Sequence, residues 1–133
     1  MISGNPKIDR LMLAISQHEG WAPPSENKPV GGSRAYRNHN PGNLRASPFA
    51  YSIVEGYAIF RNDFIGWLAL YWDLLQKSKG NTVTKLGPDS TLRDLIFTYA
   101  PPSDNNDSEK YLQEVVKNSG LLETTTLKEI FSS

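Results

Sequence analysis

The chain has 133 residues, a length that suits one domain with a real hydrophobic core. Its 38% apolar and 21% charged residues fit a soluble globular protein, and its 14 basic and 14 acidic residues cancel, so nothing points to nucleic acid or an acidic membrane surface. There is no cysteine, which excludes disulfides, thiolate metal sites and a cysteine nucleophile together.

The first predicted element runs from Ile8 to Trp21, with Asn5 as its cap and Pro6 at its first position. At about 100° per residue, Ile8, Met12 and Ile15 share one line and Glu19 lies about 20° from it. The Glu19 carboxyl therefore belongs to the apolar face. It also falls in the last turn, at the negative end of the helix dipole, and Gly20 supplies the stop. Desolvation and the dipole both favour the protonated form, the condition of a carboxylic acid able to donate a proton near neutral pH. The other reading at this point is an acid that fringes the core and reaches water.

Trp21 to Val30 holds three prolines and no apolar period, so it reads as a loop. Gly31 to Arg45, rich in Gly and Asn, is expected to be irregular backbone. Leu44 to Phe60 is the strand-like region. Phe49, Tyr51 and Ile53 alternate, Glu55-Gly56 offers a turn, and Tyr57 and Ile59 answer it. A helix starts at Asn62 or Asp63 and carries Phe64, Trp67, Leu68, Tyr71, Leu74 and Leu75 on its apolar face, widened by Leu70 and Trp72, until Gly80. Thr91 to Asp94 forms a capping box for a third helix with Leu92, Leu95, Ile96 and Tyr99, stopped by Pro101-Pro102. Asp107 or Ser108 caps a fourth, bearing Tyr111, Leu112, Val115 and Val116 and closed by Gly120. Thr126 to Glu129 is a second capping box before a short last turn. These elements predict an α+β protein, mostly helical, with a small hairpin after the first helix, as a single domain over residues 1–133.

Three segments collect chemistry: the helix end at Glu19-Gly20-Trp21, the run Asn38-His39-Asn40-Pro41-Gly42-Asn43-Leu44-Arg45, and Tyr99 to Asn106. Amides and aromatic faces suit a neutral ligand rich in hydroxyl and acetamido groups, such as an aminosugar chain; phosphates would call for lysines, arginines or a glycine cradle. Turn-forming asparagines and a core tyrosine are the alternatives. Trp21 stays open between core and sugar platform, while Trp67 and Trp72 read as core. His18 and His39 lack metal-ligand spacing, so no metal or other cofactor is expected. No apolar run approaches the roughly 18 residues of a membrane span. The N-terminus lacks the pattern of a signal peptide, so an extracytoplasmic target would need another route of delivery.

The order of these blocks (a helix ending in Glu-Gly, then Arg-Asn-His-Asn-Pro-Gly-Asn-Leu-Arg, Gly-Tyr-Ala-Ile-Phe, Gly-Trp-Leu-Ala-Leu and Tyr-Ala-Pro-Pro-Ser-Asp-Asn-Asn) resembles the phage-associated peptidoglycan-degrading domains of the lysozyme superfamily, which are similar to lytic transglycosylases. The resemblance covers about Leu11 to Gly120. It implies a lysozyme-like fold, Glu19 as the catalytic acid, and Asn38, Asn40, Asn43, Arg45, Tyr99 and Asn105 around the sugar. It implies cleavage of peptidoglycan strands between N-acetylmuramic acid and N-acetylglucosamine by a monomer, in the periplasm or cell wall after phage-mediated release or virion delivery. It supplies no firm second carboxylate. Glu55 is the first candidate, and Asp63 and Asp104 are weaker ones. A non-catalytic wall-binding or virion module of the same fold, and a chitin-directed hydrolase, are the competing readings.

Overall fold

A computed structural model describes residues 3–23 and 32–132. Most of the loop expected over Trp21 to Val30 lies outside them. The described chain is mostly helical with one small antiparallel sheet, an α+β composition. Its contacts divide it into two compact units, one of Ser3–Ala14 with Leu74 onward, the other of Ile15–Asp73.

The first unit contains the start of helix α1 (Pro6–His18), the end of α3 (Asp63–Ser78), α4 (Leu92–Tyr99), a 3-10 turn (Pro102–Asp104), α5 (Ser108–Ser119) and α6 (Leu127–Phe131). Its helix ends follow the sequence closely. Asn5 Oδ1 accepts from the Lys7 amide at 2.9 Å, and Pro6 takes the first helical position, where its missing N–H costs nothing. Both capping boxes form, at Thr91 with Asp94 and at Thr126 with Glu129. Asp107, not Ser108, caps α5, and Gly120 closes it at φ 73°.

Main-chain bonds bring the two boxed ends side by side. Thr91 bridges Thr126, the Leu92 amide donates to Thr125 O at 2.9 Å, and the Leu127 amide donates to Ser90 O at 2.8 Å. Cations from the first turns of α1 reach carbonyls at the ends of the later helices. Arg10 Nε donates to Ser119 O at 2.8 Å and Lys7 Nζ to Glu129 O at 2.7 Å. Leu92, Leu95, Ile96, Tyr111, Leu112, Val115, Leu127 and Ile130 are all buried.

The second unit contains the end of α1, the single turn α2 (Arg34–Arg37), strands β1 (Ser52–Val54) and β2 (Tyr57–Ile59), and most of α3. α2 lies where irregular backbone was expected. Ser33 caps it, its side chain accepting from the Tyr36 amide at 3.2 Å, while the Ser33 amide donates to Ala22 O at 3.1 Å. The strands pair Ser52 with Ile59, Ile53 with Ala58 and Val54 with Tyr57. Glu55 and Gly56 make the turn at φ 54° and 81°, the left-handed pair that two-residue hairpins favour.

Two further expectations need correction in this unit. β1 was expected to alternate in and out, but all three of its residues are exposed. The buried face of α3 is also rotated from the expected one. Gly66, Ala69, Leu70, Leu74 and Ser78 are buried, whereas Phe64 is 63% exposed and Trp72 is exposed rather than core. The reason is Gly66. A Cβ there would stand 1.8 Å from His39 O and 2.9 Å from Pro41 Cδ, so α3 receives main chain on that side instead of apolar side chains.

Candidate functional site

The site is built within the second unit. α1 is helical to His18, and Glu19 follows with its amide still bonded to Ile15 O at 2.9 Å. Ile8, Met12 and Ile15 are buried along the expected line, and Glu19, next on that line, is half-buried. Gly20 turns the chain at φ 82°, and the Trp21 amide returns to Ser16 O at 2.9 Å. This directs Trp21 into an aromatic cluster. Its ring lies 5.1 Å from Tyr36 and meets Trp67 edge-on at 5.8 Å. All three rings are half-buried.

The asparagine run is anchored on both flanks. The Asn38 amide bonds Arg34 O at the end of α2, while Asn38 O accepts from the Phe60 amide at 2.9 Å beyond β2. Asn38 itself stays half-buried. Asn40 is fully buried. Its Nδ2 donates to Leu44 O at 2.9 Å and to Ala58 O at 3.0 Å, and its Oδ1 accepts from the Leu44 amide at 2.9 Å. Every polar atom of that side chain therefore serves main chain. Asn40 belongs to the frame of the loop and not, as expected, to the sugar, because a side chain with no exposed surface and saturated partners has nothing left to offer a ligand. The Ala58 amide donates to Leu44 O at 3.0 Å, so the segment after the loop lies along β2.

That frame sets Asn43 against the acid. Asn43 adopts left-handed backbone at φ 48°, a conformation asparagine tolerates better than most residues. Its Nδ2 donates to Glu19 Oε1 at 3.3 Å. Its Oδ1 is buried and accepts no hydrogen bond from the described residues. Arg45, two residues on, is exposed and stacks its guanidinium 4.5 Å from the Tyr57 ring centre, with Arg34 4.6 Å from the same ring.

The remaining candidates fall elsewhere. Glu55 sits exposed in the hairpin turn. Asp63 Oδ1 bonds His39 Nδ1 at 2.7 Å, which ties the loop to the first turn of α3. Tyr99, Asp104 and Asn105 belong to the first unit. There Tyr99 packs edge-on against Tyr111 at 6.4 Å, with Lys77 Nζ 4.9 Å from its ring centre. Asn105 is the left-handed, exposed cap of the 3-10 turn, at φ 62°.

Three features of the site carry no readable signal in the sequence: the His39–Asp63 pair, the joining of Tyr36 to Trp21, and the two arginines on Tyr57. Gly66 does carry one, since a glycine inside an apolar helix marks close backbone approach. Among the described residues no three His, Asp or Glu side chains gather as metal ligands would, and no helix is long and apolar enough to cross a membrane. No family model, no curated protein and no solved structure matches this chain.

Proposed function

We propose that this chain is a lysozyme-like enzyme that cleaves the β-1,4 bond between N-acetylmuramic acid and N-acetylglucosamine in peptidoglycan, with Glu19 as general acid and then base. The observation that carries the reading is the Glu19–Asn43 pair: a half-buried carboxyl at a helix end, addressed by the amide of Asn43, which is held on a left-handed backbone. The carbonyls ending α1 disfavour a negative charge on Glu19, and the Asn43 N–H favours one. An amide in that place serves both forms of the acid. Nδ2 donates to the carboxylate, and a half-turn of the amide would present Oδ1, which has no other partner among the described residues, to the O–H of the carboxylic acid.

In the proposed reaction Glu19 gives its proton to the glycosidic oxygen as the bond to C1 breaks. The substrate's 2-acetamido group stabilises the electron-poor centre. Carboxylate Glu19 then takes the proton of the C6 hydroxyl, whose oxygen closes on C1 to give a 1,6-anhydro sugar; with water in that role the product is the reducing sugar. Glu55 is exposed and Asp63 is engaged with His39, so the proposal uses one carboxylate and favours transglycosylation. The setting proposed for this activity is the periplasm or cell wall, reached by phage-mediated release or virion delivery. The test is to incubate purified peptidoglycan with the protein and with Glu19→Gln, and to weigh the products. Anhydro fragments, one water lighter than hydrolytic ones, from the wild type alone are expected. Equal release by both proteins removes Glu19 from the reaction, and binding to walls without any release favours a non-catalytic wall-binding module.

A further inference from the structure

Tyr57 has a guanidinium stacked at 4.6 Å from Arg34 and another at 4.5 Å from Arg45. Both guanidinium groups therefore share one aromatic ring. Their charges are thus held no farther apart than the sum of those distances. Both arginines are exposed, and among the described residues no carboxylate forms an ion pair with either. Glu55 lies two residues before Tyr57 yet pairs with neither. The main chain that carries the ring is fixed by the ladder, since Tyr57 pairs with Val54 in the hairpin. Gly56 keeps the space beside it, because a Cβ there would approach Arg45 Nη1 to 3.2 Å.

Two like charges stacked on one phenol repel each other, and an anion bridging them relieves that repulsion. The aromatic ring holds each guanidinium by its face and leaves its N–H edge free, the edge that binds a carboxylate with two parallel hydrogen bonds. Arg45 is separated from Asn43, the partner of Glu19, by Leu44 alone, so the two stand within about 7 Å of chain. One arginine of the pair and the partner of the acid thus lie close along the chain.

We infer that Arg34, Tyr57 and Arg45 form a carboxylate clamp that selects a glycan carrying acidic side branches, the stem peptides of peptidoglycan, over an uncharged chain of N-acetylglucosamine. The inference rests on the proposed glycan-cleaving role, and it adds the property that separates peptidoglycan from chitin. Neutral amides and aromatic rings recognise sugars common to both polymers; only peptidoglycan offers carboxylates.

The test uses Glu19→Gln as a full-length protein that binds without turnover, alone and combined with R34Q/R45Q. Affinity is measured for a muropeptide oligomer with intact stems and for an N-acetylglucosamine hexamer. The double substitution is expected to weaken muropeptide binding at least tenfold, and R34Q alone in the Glu19→Gln protein, at a residue outside the expected sugar contacts, to weaken it about threefold while leaving hexamer binding within twofold. Added salt is expected to weaken the muropeptide complex of the Glu19→Gln protein much more than that of the triple variant. Unchanged muropeptide affinity overturns the clamp, as does an equal loss for both ligands, which would make the arginines supports of the sugar site. A poly(glycerol phosphate) chain that displaces the muropeptide at matched charge would overturn the carboxylate preference and assign the clamp to phosphodiesters. The parent reading fails separately: if wild-type protein releases no fragment from peptidoglycan while the affinities still split, the clamp stands without the reaction.

Discussion

The two units of this protein are stabilised in different ways. In the first, each of α4, α5 and α6 carries its own start signal, and the cores of α4 and α5 lie on the faces their sequence periods indicate. In the second, the decisive bonds join segments far apart in sequence: Asn38 to Phe60, Asn40 to Ala58, His39 to Asp63 and Asn43 to Glu19. The second unit also exposes Tyr51, Ile53, Val54 and Phe64, and holds His39, Asn43 and Glu55 in left-handed backbone. The contrast suggests a division of labour. Local signals set the helix ends of the scaffold, whereas the candidate chemistry sits where side-chain amides hold irregular main chain in place.

The sharpest way to test the contrast is to separate activity from stability. Glu19→Gln keeps the shape of the side chain and removes its acid. The expected outcome is a loss of peptidoglycan cleavage by about a hundred- to ten-thousand-fold. Thermal unfolding should stay close to wild type, because the interaction with Asn43 survives in amide form. A variant that loses its fold together with its activity would make Glu19 a structural residue and erase the distinction drawn between the units.

Gly66→Ala attacks the support of the site from α3. In an ordinary helix interior this change stabilises by roughly 0.5–1 kcal/mol. Here the new methyl would meet His39 O at 1.8 Å, a backbone atom with no freedom to swing aside. The expected result is a loss of about 3 kcal/mol, with activity falling as the loop is pushed from the helix. Denaturant unfolding measures the first and substrate turnover the second. A stabilised Gly66→Ala protein would show that the loop does not rest on α3 as described.

Asn40→Ala removes a frame and not a contact to sugar. It leaves the buried Leu44 amide and Ala58 carbonyl without their side-chain partner, for an expected cost of about 2 kcal/mol. Asn40→Asp, nearly the same shape, should cost at least as much, since it sets an oxygen against the carbonyls of Leu44 and Ala58. If either variant keeps wild-type stability but binds glycan poorly, Asn40 returns to the ligand.

The legibility of the chain follows the same division. Asn5, Thr91, Asp107 and Thr126 announce their helices because a cap acts over three residues, and Glu55-Gly56 announces the hairpin because its turn chemistry is local. Glu19 could be set on the apolar line of α1 because the helix period is rigid. Its tie to Asn43 spans 24 residues, and no local pattern encodes it. The inward turn of Asn40, the helical turn at Arg34–Arg37 and the rotated face of α3 depend on what arrives from elsewhere in the chain. Asn38, Asn40 and Asn43 are identical letters in one loop; one is half-buried at a cap, one saturated in the frame and one against the acid. Residue type therefore points to the right loop and cannot assign roles within it.

The smallest expected effect belongs to the first unit and tests whether its surface charges are as local as its caps. Arg93 Nε donates to Glu123 at 2.8 Å, and its Nη1 and Nη2 donate to Glu109 at 2.9 and 3.1 Å. Hydrogen bonds from Arg93, then from Gln113, hold both carboxyls below their ordinary 4.5, and the pair of glutamates in turn raises Arg93. A carboxyl lowered on folding contributes stability above its unfolded pKa and loses it as pH falls through the folded value. Arg93→Gln should therefore lower the melting temperature slightly near pH 7, and the gap to wild type should close as the pH is taken below about 4.5. Added salt should narrow the gap at neutral pH, because all three groups face water. A gap that persists in acid would mean that Arg93 works mainly through its packing on the Phe97 ring, 5.3 Å away, and not through its charge.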